Sequence, residues 1–350
     1  MRRPTRLDLV LAIALGAAAL VALLAVHRTA AAAQAWLAAY LFWAGLPIGA
    51  LFLVLTHGLT GGEWGLTLRP GLFAMLRAMP LLPLLLIPVL FGARHIYPWA
   101  MAHEHGWLAL PLFVARAIVY VVLWNAIAVG AMRWMQPDGC LPPGVAWPAL
   151  IVLFASTTLA AFDWLMSLEP HWTSTIYGLM VIAGWTISAL AAALALAAGF
   201  AAPRIEEALD APARILLALV YLWAYLSVVQ LIVIWESDLA HEIPWYLRRS
   251  TDGWQWVAVA IAVGEFVVPF LTLIWRPLRR SRQAVLAVAL VVLAGHTAEI
   301  WWLAMPDFTR GFGWADVLAF IAIGAAFLYV GGRDFDFSLP LETRPHGAGK

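Results

Sequence analysis

Charge is scarce in this chain, and residues that could hold a cofactor are scarcer. Only 12% of its 350 residues are charged, and it has one cysteine and one lysine. A single thiol excludes a disulfide framework, a cysteine-held iron–sulfur cluster and a CxxCH haem attachment within the chain. The sequence also lacks a phosphate-binding G-x-x-x-x-G-K-[ST] loop, a nucleophile elbow and a basic run long enough to follow a phosphate backbone. These absences argue against nucleotide chemistry, covalent catalysis and nucleic-acid binding.

Histidine ligands are equally few. A membrane b-type haem needs axial ligands from facing helices, but only His296 lies well inside an apolar stretch, with His57 at the end of another. The histidines of the loops do not have the spacing of a zinc site. The sequence therefore predicts no metal and no cofactor bound by this chain alone.

Apolar residues are abundant. They make up 64% of the chain, and the mean hydropathy is +0.86. Because a helix needs about 20 apolar residues to cross a bilayer, we expect an all-α polytopic membrane protein, a single integral membrane domain over 1–350 with about ten transmembrane helices. The predicted helices lie near residues 7–26, 35–56, 72–92, 108–132, 145–166, 176–199, 213–235, 254–275, 283–304 and 314–331, and 332–350 form a short cytoplasmic tail.

The arginines predict the orientation. Fifteen of the 21 Arg and Lys residues lie on the same side of the membrane as the N-terminus in this arrangement. Five lie on the opposite side, and Arg116 lies inside a span. Cytoplasmic loops carry the excess of Lys and Arg, so both termini are expected in the cytoplasm. Arg2, Arg3 and Arg6 before the first apolar run also fit a signal peptide, but an apolar core of about 20 residues favours a retained helix.

Four ionisable residues fall inside predicted spans, where each is costly unless paired or hydrated. They are Arg116, Glu265, His296 and Glu299. His296 and Glu299 are three apart and share a helical face, and Pro269 should loosen the helix next to Glu265. Two interpretations stay open: a proton path, or an ion-pair lock in which Arg116 pairs with Glu265 or Glu299.

Three segments resemble one family both in their residues and in their order along the chain. They are FDWLMSLEPHWTSTIYG (162–178), LVYLWAYLSVVQLIVIWESDLAHEIPWYLRR (219–249) and VGEFVVPFLTLI (263–274), preceded by LTGGEWG and HIYPWA. Together they are similar to the second polysulfide-reductase-like (NrfD/PsrC-like) membrane subunit of bacterial alternative complex III, the quinol:cytochrome c oxidoreductase of respiratory electron transport. The resemblance covers roughly residues 55–282.

The resemblance implies a multi-pass subunit of the bacterial inner membrane, with two four-helix bundles and flanking helices, that is not catalytic alone. It implies partners that carry haem c and iron–sulfur clusters, a sister membrane subunit and a terminal oxidase. This chain would then contribute a quinol-facing or proton-conducting bundle. The alternatives are a structural or assembly subunit without a quinol site, and a secondary transporter, although no repeated pair of broken helices supports the latter.

The resemblance also implies site residues. Candidates for quinol binding or periplasmic proton release are His95, Tyr97, Asp163, Glu169 and His171, and candidates for partner docking are Glu236, Trp245, Arg248 and Arg249. Histidine and carboxylate groups suit the first role because quinol oxidation releases protons to general bases. If the resemblance is set aside, the aromatic residues fit a belt at the membrane interface, and the charged residues fit solvated loops. Thr173 departs from the family pattern, which has an aromatic there.

Overall fold

A computed structural model describes residues 16, 30–101, 106–200, 205–308 and 310–332. These residues form helices and no strand. The α-helices are α1 Ala30–Thr60, α2 Glu63–Arg77, α3 Leu81–Phe91, α4 Ala93–Ile96, α5 Leu110–Trp134, α6 Pro143–Trp164, α7 Tyr177–Phe200, α8 Glu206–Ser237, α9 Ile243–Arg248, α10 Trp254–Ile261, α11 Val268–Leu273, α12 Arg276–Arg279, α13 Arg282–Ala304 and α14 Trp314–Gly332. Short 3₁₀ turns lie at Pro98–Ala100, Met166–Leu168 and Met305–Asp307, and a π-helical turn at Ala262–Val267 joins α10 to α11.

The predicted fold class is confirmed. Eight helices of the described part are long and apolar enough to cross a membrane, or nine if α2 and α3 count as one bent span. The predicted span at 7–26, apart from Gly16, and the tail beyond Gly332 lie outside the described residues. A total of ten helices, the two-bundle grouping and the side on which the termini lie therefore stay predictions.

The prediction of one continuous helix over 72–92 was wrong. The chain forms two helices there, α2 and α3, bent by 46°. A turn at residues 78–80 separates the two helices, and Pro80 in this turn has no N–H to donate to a helical ladder. The start was also placed too late, because α2 begins directly after Gly61 and Gly62, whose φ angles of 66° and 100° end α1.

The expected loosening before Pro269 is confirmed. The carbonyl of Glu265 would normally accept from residue 269, but proline has no N–H to donate. The helix widens instead, and the N–H of Val268 donates to the carbonyl of Val263, five residues back. Such π turns within helices recur at functional sites, and this one carries Glu265.

Two helices form the buried centre of the molecule, α1 and α7. Gly45 and Gly49 of α1 lie four apart and face Trp185 of α7: a Cβ on Gly49 would lie 2.0 Å from the Trp185 carbonyl oxygen. Small residues at this spacing let two transmembrane backbones approach closely. The other helices pack around this pair.

A Gly49→Ala variant should therefore lower the free energy of unfolding by about 1–3 kcal/mol, because overpacking forces backbone shifts. Gly144→Ala is the matched control, since a Cβ there has none of the described atoms within 4 Å. Unfolding titrations in mixed micelles compare the two. Equal stability of both variants would contradict the close α1–α7 contact.

One end of the bundle collects the loops in which the polar signatures lie. Segments 92–101, 165–176, 238–253 and 305–308 meet there through direct contacts, for example between Arg248 and Glu169 and between Arg249 and Asp307. We call this end the outer face. The opposite end has its own ties, such as the Arg279–Asp210 ion pair.

Candidate functional site

Asp163, at the end of α6, is the most heavily bonded carboxylate of the outer face. Arg116 donates to it twice, with both distances at 2.8 Å. The Tyr120 hydroxyl donates at 2.8 Å and the Trp107 indole N–H at 2.9 Å. The Asp163 side chain is fully buried, and Arg116 also lies 4.1 Å from the Trp107 ring centroid. The expected pairing of Arg116 with Glu265 or Glu299 was wrong, because Asp163 occupies the guanidinium.

Two partners of Asp163 were missed from the sequence. Tyr120 lies four residues after Arg116, so both side chains project from the same face of α5, and this spacing could have indicated a shared partner. Trp107 comes from the loop before α5, and no local pattern places it. With four donors, Asp163 has the bonding of an anchor between α5 and α6.

The segment around Tyr97 is tied to the end of α6. The Tyr97 hydroxyl donates to the carbonyl of Trp164 at 3.2 Å, and the Trp99 indole donates to that of Ser167 at 3.1 Å. Burial, with the nearby negative charge of Asp163, raises the pKa of Tyr97 well above its ordinary value. Tyr97 is therefore a neutral hydrogen-bond donor. His95, two residues earlier, is exposed.

Arg248 and Arg249 have different surroundings. Arg249 is buried and donates through Nη2 to Asp307 at 2.6 Å and to the Leu303 carbonyl at 2.6 Å. Its guanidinium carbon lies 3.7 Å from the Trp245 ring centroid. Arg248 is half-exposed and pairs with Glu169. The outer face is thus held by arginine–carboxylate ties between segments distant in sequence.

The predicted outer-face residues do not converge on one site. Trp245 is buried and stacked on Trp172 at 4.5 Å, so it and Arg249 offer no side-chain surface to a partner. Glu236 and His171 are exposed. Docking stays a prediction for Glu236 and Arg248.

Glu265, His296 and Glu299 meet inside the bundle, and we call them the buried triad. His296 Nδ1 lies 2.8 Å from Oε2 of Glu299 and 3.6 Å from Oε1 of Glu265. The Trp223 indole donates to the other oxygen of Glu299 at 2.6 Å. All three triad side chains are buried. The shared face of His296 and Glu299 is confirmed, while the contact with Glu265 depends on packing between α13 and the π turn.

The bonding of the triad is incomplete. Among the described residues, neither oxygen of Glu265 nor Nε2 of His296 has a hydrogen-bond partner, although these atoms are buried. Buried polar groups are nearly always paired, and exceptions usually have a functional reason. In contrast, both oxygens of Asp163 accept hydrogen bonds.

Glycines make room for the triad. A Cβ on Gly295 would lie 2.7 Å from Cγ of Glu265, and one on Gly184 would lie 2.9 Å from Cε1 of His296. Larger residues at either position would displace a triad side chain. The space for the cluster therefore comes from two neighbouring helices, α7 and α13.

The triad brings three titratable side chains close together. One atom from each residue lies within 4.8 Å of the others, which also makes the triad the set of described residues that could hold a metal ion. Two carboxylates and an imidazole suit either a proton or a divalent cation. The 2.8 Å distance between His296 and Glu299 is that of an ordinary hydrogen bond.

Comparison with known proteins adds no family. No protein-family model matches the chain, and no curated protein matches it. The helices support a multi-pass membrane protein, and any narrower function has to be argued from the residues described above.

Proposed function

We propose that this chain is a membrane subunit of a respiratory quinol:cytochrome c oxidoreductase of the alternative complex III type, and that it contributes a proton-conducting helix bundle. The single observation behind the proton role is the buried triad, whose three titratable side chains are in contact and only partly hydrogen-bonded. The segments at 162–178, 219–249 and 263–274 support the complex type through their resemblance.

Charge supports a proton role over a lock. An ion-pair lock is stable when opposite charges cancel and every polar atom is bonded. Among the described residues the triad has two carboxyl groups for one imidazole and no arginine as an ion-pair partner, so with a charged imidazole its charges cancel only when one carboxyl group holds a proton. Asp163 with Arg116 is balanced and saturated, as a lock requires.

The depth of the triad also suits a relay. His296 is eight residues before the end of α13 at Ala304, which corresponds to about 12 Å at 1.5 Å per residue. Ionisable groups at such depth are functional candidates because the surrounding hydrocarbon makes them costly. A proton held there would be well inside the bilayer.

Co-purification tests the assignment to a complex. A tagged chain, solubilised in mild detergent from its own membranes, should bring down partners with the absorbance of haem c and the electron paramagnetic signals of iron–sulfur clusters. A different multi-pass protein carrying the same tag is the control. Purification of the chain without either cofactor would contradict the respiratory assignment.

A structural role without proton transfer is the second candidate. The ties around Asp163 and Arg249 favour it, because they join distant segments and leave few groups free for chemistry. The triad variants considered in the Discussion distinguish the two roles.

A further inference from the structure

Arginine side chains gather at the end of the bundle opposite the outer face, where α8 begins and α12 connects α11 to α13. Arg279 lies 2.9 Å from the carboxylate of Asp210, and Arg214 lies 3.8 Å from it. The positive charge of Arg280 also acts on this carboxylate. Arg276 is one helical turn before Arg280 and shares its face. We call Arg214, Arg276, Arg279 and Arg280 the arginine patch.

One arginine of the patch is engaged and three are not. Arg279 donates to Asp210 and to two carbonyl groups at the end of α11. The side chain of Arg214, in contrast, is 61% exposed. Arg276 is exposed and Arg280 is partly buried, and neither forms an ion pair with a carboxylate of the described residues. Three guanidinium groups are therefore available to a ligand.

The neighbouring carboxylates do not cancel this charge. Glu206 and Glu207 lie in the first turn of α8, and both are exposed. With Asp210 they make three negative charges in segments 206–214 and 276–282, which together hold five arginines. The surplus of positive charge attracts an anion.

The patch lies at the level of the lipid headgroups. Trp275, directly before it, is 65% exposed, and exposed tryptophans of transmembrane proteins concentrate at the membrane interface. Leu271 and Ile274, on the α11 side of Trp275, are 57% and 50% exposed. The surface thus changes from cationic to apolar within a few residues.

The α8 side of the patch continues in the same way. Tyr221 comes seven residues after Arg214 on the same face of α8, about 10 Å along the axis, and it is 46% exposed. Its ring contacts Phe266 and Phe270, with centroid distances of 6.0 and 5.3 Å. An aromatic surface shared by α8, the π turn and α11 therefore extends from the arginines toward the hydrocarbon.

We propose that the arginine patch binds an anionic phospholipid, with the headgroup phosphate against Arg214, Arg276 and Arg280 and an acyl chain along Tyr221 and Ile274. Basic sites between transmembrane helices bind anionic headgroups through this chemistry. The cytoplasmic side expected for this end is the side where anionic lipids attract arginines. The inference goes beyond the proposed function and depends neither on the triad nor on the respiratory assignment.

Native mass spectrometry of the whole chain, delipidated in a neutral detergent, can measure the binding. The probes are dioctanoyl phosphatidylglycerol, dioctanoyl phosphatidylcholine as the zwitterionic comparison, and inorganic phosphate. We expect saturable binding of phosphatidylglycerol that is at least about fivefold tighter than that of phosphatidylcholine. An equal concentration of inorganic phosphate should not displace it, because phosphate lacks the acyl chains.

Variants locate the binding. Arg214→Gln and Arg280→Gln should each weaken binding of phosphatidylglycerol about fivefold, while Arg280→Lys, which keeps the charge, should retain most of it. Arg133→Gln is the matched control, since Arg133 is an exposed arginine at the end of α5, outside the patch. Because the side chain of Arg214 is mostly exposed, its variant should fold even if Arg280→Gln does not.

Four results would overturn the proposal. The first two are equal binding of the two lipids and displacement by inorganic phosphate, which would indicate a site for free anions. The third is an equal loss in the Arg133 and Arg214 variants. The fourth is loss of lipid binding once the chain is assembled with its partners, because a partner protein would then cover the patch.

Discussion

Replacing Asp163 by leucine should lower the free energy of unfolding by about 3–5 kcal/mol, because removing one partner of a buried ion pair leaves the other charge uncompensated. The lost partner here serves more than Arg116. Tyr120 and Trp107 also donate to Asp163, and both would be left without an acceptor. Reversible unfolding in mixed micelles measures the change.

Two further variants make this result specific. A double variant, Arg116→Met with Asp163→Leu, removes both charges and should recover much of the loss, since apolar pairs can replace buried ion pairs at little cost. Glu207→Leu is the control, because residue 207 is exposed and surface changes stay within about 0.5 kcal/mol. If the double variant were as unstable as Asp163→Leu alone, the uncompensated charge would not be the cause.

Glu265→Gln should reduce proton-coupled turnover of the assembled complex by about tenfold or more, since groups that transfer protons commonly contribute 10²–10⁴-fold. Glutamine keeps the size of the side chain but can neither take up nor release a proton. His296→Ala should act in the same direction, because His296 lies between the two carboxyl groups. Proton release by reconstituted vesicles, measured together with electron transfer, provides the readout.

The outcome separates a relay from a lock. Glu206→Gln is the control for a lost carboxylate, as Glu206 is exposed in the first turn of α8 and belongs to none of the predicted sites. Full proton coupling in an assembled Glu265→Gln complex would refute the relay. Failure of the complex to assemble, with electron transfer lost as well, would instead support a structural role.

Within the described residues, most predicted spans coincide with helices, because each is a long apolar run with polar ends. The exceptions have local causes. Helix α2 starts directly after Gly61 and Gly62, earlier than predicted. The turn that contains Pro80 separates α2 from α3, where one helix was predicted. Proline alone could not show this bend, since Pro47 lies within α1 without ending it.

The site is less predictable, because its contacts join residues far apart in the chain. The three-residue spacing of His296 and Glu299 was enough to predict a shared face, whereas Glu265 comes from a different helix. Arg116 was expected to bind a glutamate in the core but reaches Asp163, 47 residues later, across the α5–α6 contact. Helical periodicity gives the face of a residue, not which neighbouring helix lies opposite.

The glycines beside the triad limit which substitutions the triad positions can accept. Gly295 and Gly184 approach Glu265 and His296 so closely that a methyl group would collide with them. A lineage that lost the acidic group at 265 would be free to enlarge residue 295, and one that enlarged 295 first would have to abandon the acid. These positions should therefore vary together in evolution, although they are 30 residues or more apart in the chain.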